Sequence, residues 1–269
     1  MIGTLATSTL AFLALAGTAP PQEASRIVRE VGIDQKLGGR VSLDTPFVDE
    51  HGRAVWLGDS FDERPVILVL AYGRCPMLCT QVLTGLVHAL RAVDLRPGAD
   101  FRIVTVSIDP EETSALAARK KAATVAEYGR EGAEEGWRFL TGREESIRRL
   151  AGEVGFRYVY DPQTDEFAHA SGFMVLTPDG VLSRYFYGLE HPPGDVRLAL
   201  VESSEGRIGS LVDQILLLCY HYDPATGRYG FVILGTIRVL GVLTVAAIAG
   251  FIGLMMLRAR RSPHLAARG

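Results

Sequence analysis

Cysteine is scarce in this chain of 269 residues: there are three. That number excludes a disulfide-dense scaffold, permits one bridge at most, and leaves one thiol over, which in an oxidising compartment needs a reductant or a metal. Excess positive charge is also absent. Lysine and arginine number 28 against 31 acidic residues, and setting aside the four arginines after position 257 takes the remainder to 28 − 4 = 24 against 31, a formal charge of −7. Such a balance argues against nucleic acid as a partner. There is no internal repeat and no low-complexity segment, so repeat architectures are excluded. What is present, 48% hydrophobic and 22% charged residues, suits one sizeable globular domain with extensions.

The two ends of the chain differ from the middle. Residues 1–24 read as an export signal or an uncleaved anchor. Ile2–Ala19 is uncharged and rich in Ala and Leu, and it closes on the small residues Ala16-Gly17-Thr18-Ala19. Near the other end, Val239–Leu257 carries no charge over nineteen residues, about 28 Å as a continuous helix. A transmembrane helix is therefore expected within 231–257, followed by a basic tail over 258–269 with Arg258, Arg260, Arg261 and Arg268. Positive flanks stay in the cytoplasm, so the expected location is a bacterial inner membrane with the main domain on the periplasmic side.

Between these ends, residues 25–40 read as a linker and 41–205 as the folded domain. Phe47–Val55 has apolar residues on both sides of a Gly-containing polar turn, a small hairpin with His51 in its solvated turn. Val66–Ala71 is a buried strand. A helix through Val82, Leu86 and Leu90 then runs to Pro97-Gly98, and Phe101–Ile108 is a second buried strand, so the three form a βαβ unit. Asp109 is expected to cap a helix that runs to about Tyr128, with Pro110 in its first turn. Trp137–Leu140 reads as a strand, Glu144–Val154 as a helix, and the apolar runs around Pro178-Asp179-Gly180 as a hairpin. A closing helix is expected over Asp195–Val201. This order is that of an α/β sandwich of thioredoxin type.

The chemistry concentrates in Val66–Thr80. The apolar run stops at Gly73 and Arg74, and Cys75 and Cys79 follow four positions apart. Pro76 suits a first helical position, which makes Cys75 the N-cap and puts Cys79 one turn further in, on the same face. The helix start and Arg74 favour thiolate over thiol. Taken alone, the pair is a redox couple, a soft-metal clamp, or a structural disulfide. His88 lies half a turn off the cysteine face and is discounted as a ligand.

Four segments taken together identify the chain as resembling the Sco/SenC family of copper-binding, thioredoxin-fold proteins that help assemble cytochrome c oxidase. They are RCPMLC at 74–79, SIDPEET at 107–113, FLTG at 139–142 and AHASGFMVLTPDG at 168–180, and the likeness covers about Leu43–Leu200. The resemblance implies copper as the bound ion, with Cys75, Cys79 and His169 as its ligands. It implies as partners the oxidase subunit that carries the dinuclear copper site, together with other copper chaperones or thiol reductants. Cu(I) prefers soft thiolates and accepts an imidazole, and three ligands leave a site open to ligand exchange.

The expected function is therefore that of a membrane-anchored copper metallochaperone. Two alternatives remain: a thiol-disulfide reductase that uses Cys75 and Cys79 as its catalytic pair to keep the oxidase cysteines reduced, and a thiol peroxidase of the same fold. The family usually has an N-terminal membrane anchor, whereas this chain is expected to pair an export signal with a C-terminal one. Residues 206–230 are expected to form a juxtamembrane segment. There Cys219 and His221, outside the resemblance, are a possible accessory copper site, with packing as the plainer reading.

Overall fold

The computed structural model describes residues 30–74, 78–208, 222–223, 228–229, 241–245 and 248–256, with the backbone alone at 78–80, 222–223 and 228–229. Its centre is a five-stranded sheet in the order β10-β9-β4-β5-β6. The strands are β4 (Val66–Ala71), β5 (Arg102–Ser107), β6 (Trp137–Leu140), β9 (Gly172–Leu176) and β10 (Leu182–Tyr187). Every residue of β4 and of β9 is buried, which is what an unbroken apolar run such as VILVLA dictates for a strand covered on both faces. β4 pairs in parallel with β5, from Val66 opposite Arg102 to Ala71 opposite Ser107. The crossover between them contains helix α1 (Leu78–Arg91), the expected βαβ unit. The expected hairpin is also present, β9 running antiparallel to β10, while β9 closes antiparallel on the other side of β4.

Around this sheet lie α2 (Ser114–Tyr128), the single helical turn α3 (Ala133–Gly136), α4 (Glu144–Glu153) and α5 (Pro193–Ser204). On α4, Ile147, Leu150 and Ala151 are buried at the i, i+3, i+4 spacing that makes one apolar face. β2 (Pro46–Val48) and β3 (Ala54–Trp56) form the small expected hairpin. A second sheet has the order β1-β7-β8, with β1 at Gly32–Ile33, β7 at Phe156–Asp161 and β8 at Glu166–His169. The linker reading of residues 25–40 missed β1, because a two-residue strand is too short to leave a periodic signal.

Several boundaries shift. Helix α1 ends at Arg91 rather than at Pro97-Gly98, and Pro97 instead bridges to Phe101. Asp109 does not cap α2. The cap is Thr113, whose side chain accepts from the Leu116 N–H, so the helix starts at Ser114. The Asp109 carboxylate is drawn elsewhere, since one oxygen accepts from the Glu111 N–H and the other takes the Arg74 guanidinium.

The largest correction concerns the C-terminal region. Among the described residues no helix is long and apolar enough to cross a membrane, so the transmembrane helix expected over 231–257 is not found. The helical backbone there comprises 241–245 and 248–256. The longer piece covers roughly 13 Å at 1.5 Å per residue, against about 30 Å of hydrocarbon. The periplasmic placement of the domain rested on that helix and its arginine flank, and it falls with it. Residues 1–24, the tail 258–269, Cys219 and His221 lie outside the described residues.

Candidate metal centre

The parallel strands β4 and β5 end side by side, Ala71 opposite Ser107. The segment that leads to Cys75 and the segment 108–113 therefore leave from one edge of the sheet, the edge at which α/β sheets ordinarily place their sites. β9 runs antiparallel to β4 with Leu68 opposite Met174 and Val66 opposite Leu176. Continuing that register backwards brings the residues just before β9 towards the end of β4. His169, the last residue of β8, is delivered there: its ring lies 6.0 Å from that of Tyr72, edge to face, and Tyr72 stands three positions ahead of Cys75 in the chain. Cys75 and the side chain of Cys79 lie outside the described residues. The backbone places Cys79 in the first turn of α1.

His169 is 7% exposed and packs against Phe156 as well as Tyr72. Its Nδ1 lies 2.9 Å from the Ala170 carbonyl oxygen. A carbonyl only accepts, so Nδ1 carries the proton and Nε2 holds the lone pair, the tautomer that suits a metal-binding imidazole. Burial pushes the imidazole pKa below its ordinary value, against the opposing pull of the Ala170 carbonyl. The ring is thus neutral at physiological pH.

The segment before Cys75 is held by the SIDPEET stretch. The Gly73 N–H donates to Glu112 Oε2 at 2.6 Å, and the Ser107 hydroxyl donates to the same oxygen at 2.7 Å. Burial raises the Glu112 pKa above its ordinary value, although both hydrogen bonds pull the other way. A side chain at position 73 would crowd this anchor, because a Cβ there would stand 2.8 Å from Glu112 Oε1 and 3.1 Å from Leu116 Cγ. Next in the chain, Arg74 is fixed on Asp109 through Nε and Nη2, at 2.9 and 2.7 Å. Its charge is therefore offset locally by a carboxylate that is almost wholly buried.

The hairpin that carries His169 is stiffened by aromatic contacts. Tyr158 lies opposite His169 in the β7–β8 register, and Phe167 touches Tyr72, Tyr158 and Tyr160. The Phe167 N–H also donates to the Tyr72 hydroxyl at 3.3 Å. Sequence reasoning did not single out Tyr72 or Glu112. Tyr72 directly follows the strand and Glu112 sits inside SIDPEET, so position was their only signal. His51 is exposed in its turn as expected, and His88 is exposed. His191 is buried against Phe173 and Phe186.

Comparison with known proteins gives a consistent result. The SCO1/SenC family model matches residues 36–200. A SCO1 protein homolog of Bacillus subtilis (strain 168) is 28% identical over 155 residues, 56% of this chain and 70% of the relative. Among solved structures, a protein of Aquifex aeolicus VF5 proposed for electron transfer is 26% identical, with a TM-score of 0.55, covering 64% of this chain and 96% of its own. ScoI of Arabidopsis thaliana, solved with copper bound, shares the fold at 18% identity, with a TM-score of 0.50, covering 64% of this chain and 99% of its own.

Proposed function

The chain belongs to the SCO1/SenC family, and from that premise we propose that it is a copper metallochaperone for the dinuclear copper site of cytochrome c oxidase. Cys75, Cys79 and His169 are the three ligands to the ion, which is cargo rather than a resident cofactor. The observation that carries this reading is the placement of His169: buried at the edge where β4 ends, in contact with Tyr72 and fixed in the Nδ1–H tautomer by Ala170. A histidine serving only as a turn residue has no need of that tautomer, whereas a ligand does.

Two thiolates and one imidazole form a soft set that suits Cu(I) and disfavours hard ions such as magnesium. Three-coordinate Cu(I) passes to incoming thiolates by stepwise ligand exchange, without a redox step. The dithiolate centre carries a net charge of −1, which the start of α1 helps to offset. A copper-bound relative of the same fold, ScoI of Arabidopsis thaliana, is in keeping with this ion. The domain that performs the task is residues 41–205.

The test is Cu(I) affinity by competition with a chelator on the reduced full chain. Wild type is expected to bind one Cu(I). The His169→Ala variant should lose more than the roughly 10–100-fold that removal of an outer partner of a ligand costs. Unchanged affinity in that variant would remove His169 from the ligand set. Full-rate reduction of the oxidase subunit's disulfide by protein unable to bind metal would instead make the cysteines a catalytic redox pair.

A further inference from the structure

Beside the candidate centre lies a groove of about 370 Å³. Its floor is aromatic, built from Tyr72, Tyr158, Tyr160 and Phe167. Phe167 stands at the middle of this floor, its ring centroid 5.6, 5.9 and 5.2 Å from those of Tyr72, Tyr158 and Tyr160. Two arginines, Arg74 and Arg148, and four carboxylates, on Asp109, Glu111, Glu144 and Asp165, complete the lining. Two positive against four negative groups leave a net charge of −2.

That surplus lies at the mouth. Arg74 is engaged by the buried Asp109 and Arg148 by Glu144, each at 2.7 Å. Glu111 is only the longer partner of Arg74, at 3.5 Å, and its side chain is 81% exposed. Asp165 accepts from the Tyr160 hydroxyl at 2.7 Å, which leaves the carboxylate its charge. Aromatic faces beneath exposed carboxylates are the chemistry that receives a cationic side chain, by cation–π attraction and ion pairing together. The groove already contains one instance, since the Arg148 guanidinium lies 5.9 Å over the Tyr158 ring.

We propose that this groove docks a cationic side chain, arginine for preference, of the protein that exchanges copper with this chain. The assignment of copper to that partner rests on the function proposed above; the cation-binding groove itself does not. Tyr72 is shared between the groove and the His169 contact, and Arg74 on the groove wall is followed directly by Cys75. A partner held here is therefore brought to the centre. Its cation also lies beside a dithiolate–Cu(I) site of charge −1, whose field favours the encounter.

The test uses the full chain, free of metal, titrated with the capped peptide acetyl-Gly-Arg-Gly-amide and followed by NMR at Tyr72, Tyr160 and Phe167. A saturable shift at these residues is expected, with none from acetyl-Gly-Glu-Gly-amide. The double variant Glu111→Gln/Asp165→Asn should weaken the arginine peptide by about fivefold, the equivalent of two exposed ion pairs, and leave Cu(I) affinity unchanged. Equal binding of the two peptides, or an unweakened double variant, would overturn the proposal. So would loss of Cu(I) affinity in the double variant, since it would place these carboxylates at the metal. Failure of the wild type to bind Cu(I), with the arginine peptide still bound, would count against the copper reading and uphold the groove.

Discussion

Glu112 and Asp109 show how one functional group, the carboxylate, takes two roles within one short stretch. Asp109 is read from sequence as a helix cap because Asp-Pro-Glu-Glu is a strong helix-start pattern, but the Arg74 guanidinium from the neighbouring strand end offers more than a backbone N–H. Local capping chemistry could not reveal a partner thirty-five positions away. Glu112 is the more sensitive anchor. Its folded pKa is raised, so the folded state holds its proton more tightly than the unfolded one. The stability it contributes is fully present below about pH 4.5 and is lost as pH rises through the raised folded value. Glu112→Gln keeps an oxygen for Gly73 and Ser107 and removes the titration. Its unfolding free energy is expected to lack this loss, so that the variant gains on wild type as pH rises from 4 to 7. A constant difference across that range would show that Glu112 does not titrate as described. His169 was legible because it stands in an ordered set of motifs; its tautomer was not, since the Ala170 carbonyl is placed by the fold.

At the scale of elements, the buried strands were the most legible part of the chain. VILVLA and RIVTVS are short, β-branched-rich runs of the kind a strand covered on both faces carries, and Pro178-Asp179-Gly180 fixes the β9–β10 turn. Helix starts and ends were less so, as α1 and α2 show. Packing between elements was not legible at all. Gly85 on α1 lies so close to the segment after β10 that a Cβ there would run into the Leu189 carbonyl oxygen. Gly85→Ala improves helix propensity by roughly 1 kcal/mol, yet the backbone it meets cannot rotate away. The expected outcome is a net destabilisation of about 1–3 kcal/mol, read as a drop in Tm of a few degrees. A rise in Tm would mean that this segment yields freely. Because α1 carries Cys79 in its first turn, the same variant should also weaken Cu(I) binding.

For the whole molecule, one buried ion pair joins three distant parts of the chain. Lys121 on α2 donates to Glu50 of the β2–β3 turn at 2.6 Å, with both side chains almost wholly buried, and Glu50 also accepts from the Phe139 N–H of β6. Burial alone would raise the Glu50 pKa, but the hydrogen bonds from Lys121 and the backbone hold it below its ordinary value. Its contribution is therefore present above about pH 4.5 and lost as pH falls through the lowered value. Lys121→Met leaves a buried carboxylate unpaired and should cost about 3–5 kcal/mol, whereas the double variant Glu50→Gln/Lys121→Met should recover most of that loss. No recovery in denaturant unfolding would mean that the pair is not the unit of stabilisation. The overall order of elements was legible because βαβ connections and hairpins constrain topology strongly. The apolar run 239–257 misled because apolarity alone does not establish one continuous helix, and the described helical pieces are too short to cross a membrane.

The central claim is that this fold gathers two thiolates and one imidazole on a single Cu(I). X-ray absorption at the copper edge tests it most directly, on the reduced chain loaded with one equivalent of Cu(I), compared with Cys75→Ser, Cys79→Ser and His169→Ala. Two sulfur neighbours and one nitrogen are expected for wild type, with one sulfur lost in each cysteine variant and the nitrogen lost in His169→Ala. A wild-type spectrum without the nitrogen, or one unchanged by any of the three substitutions, would contradict it.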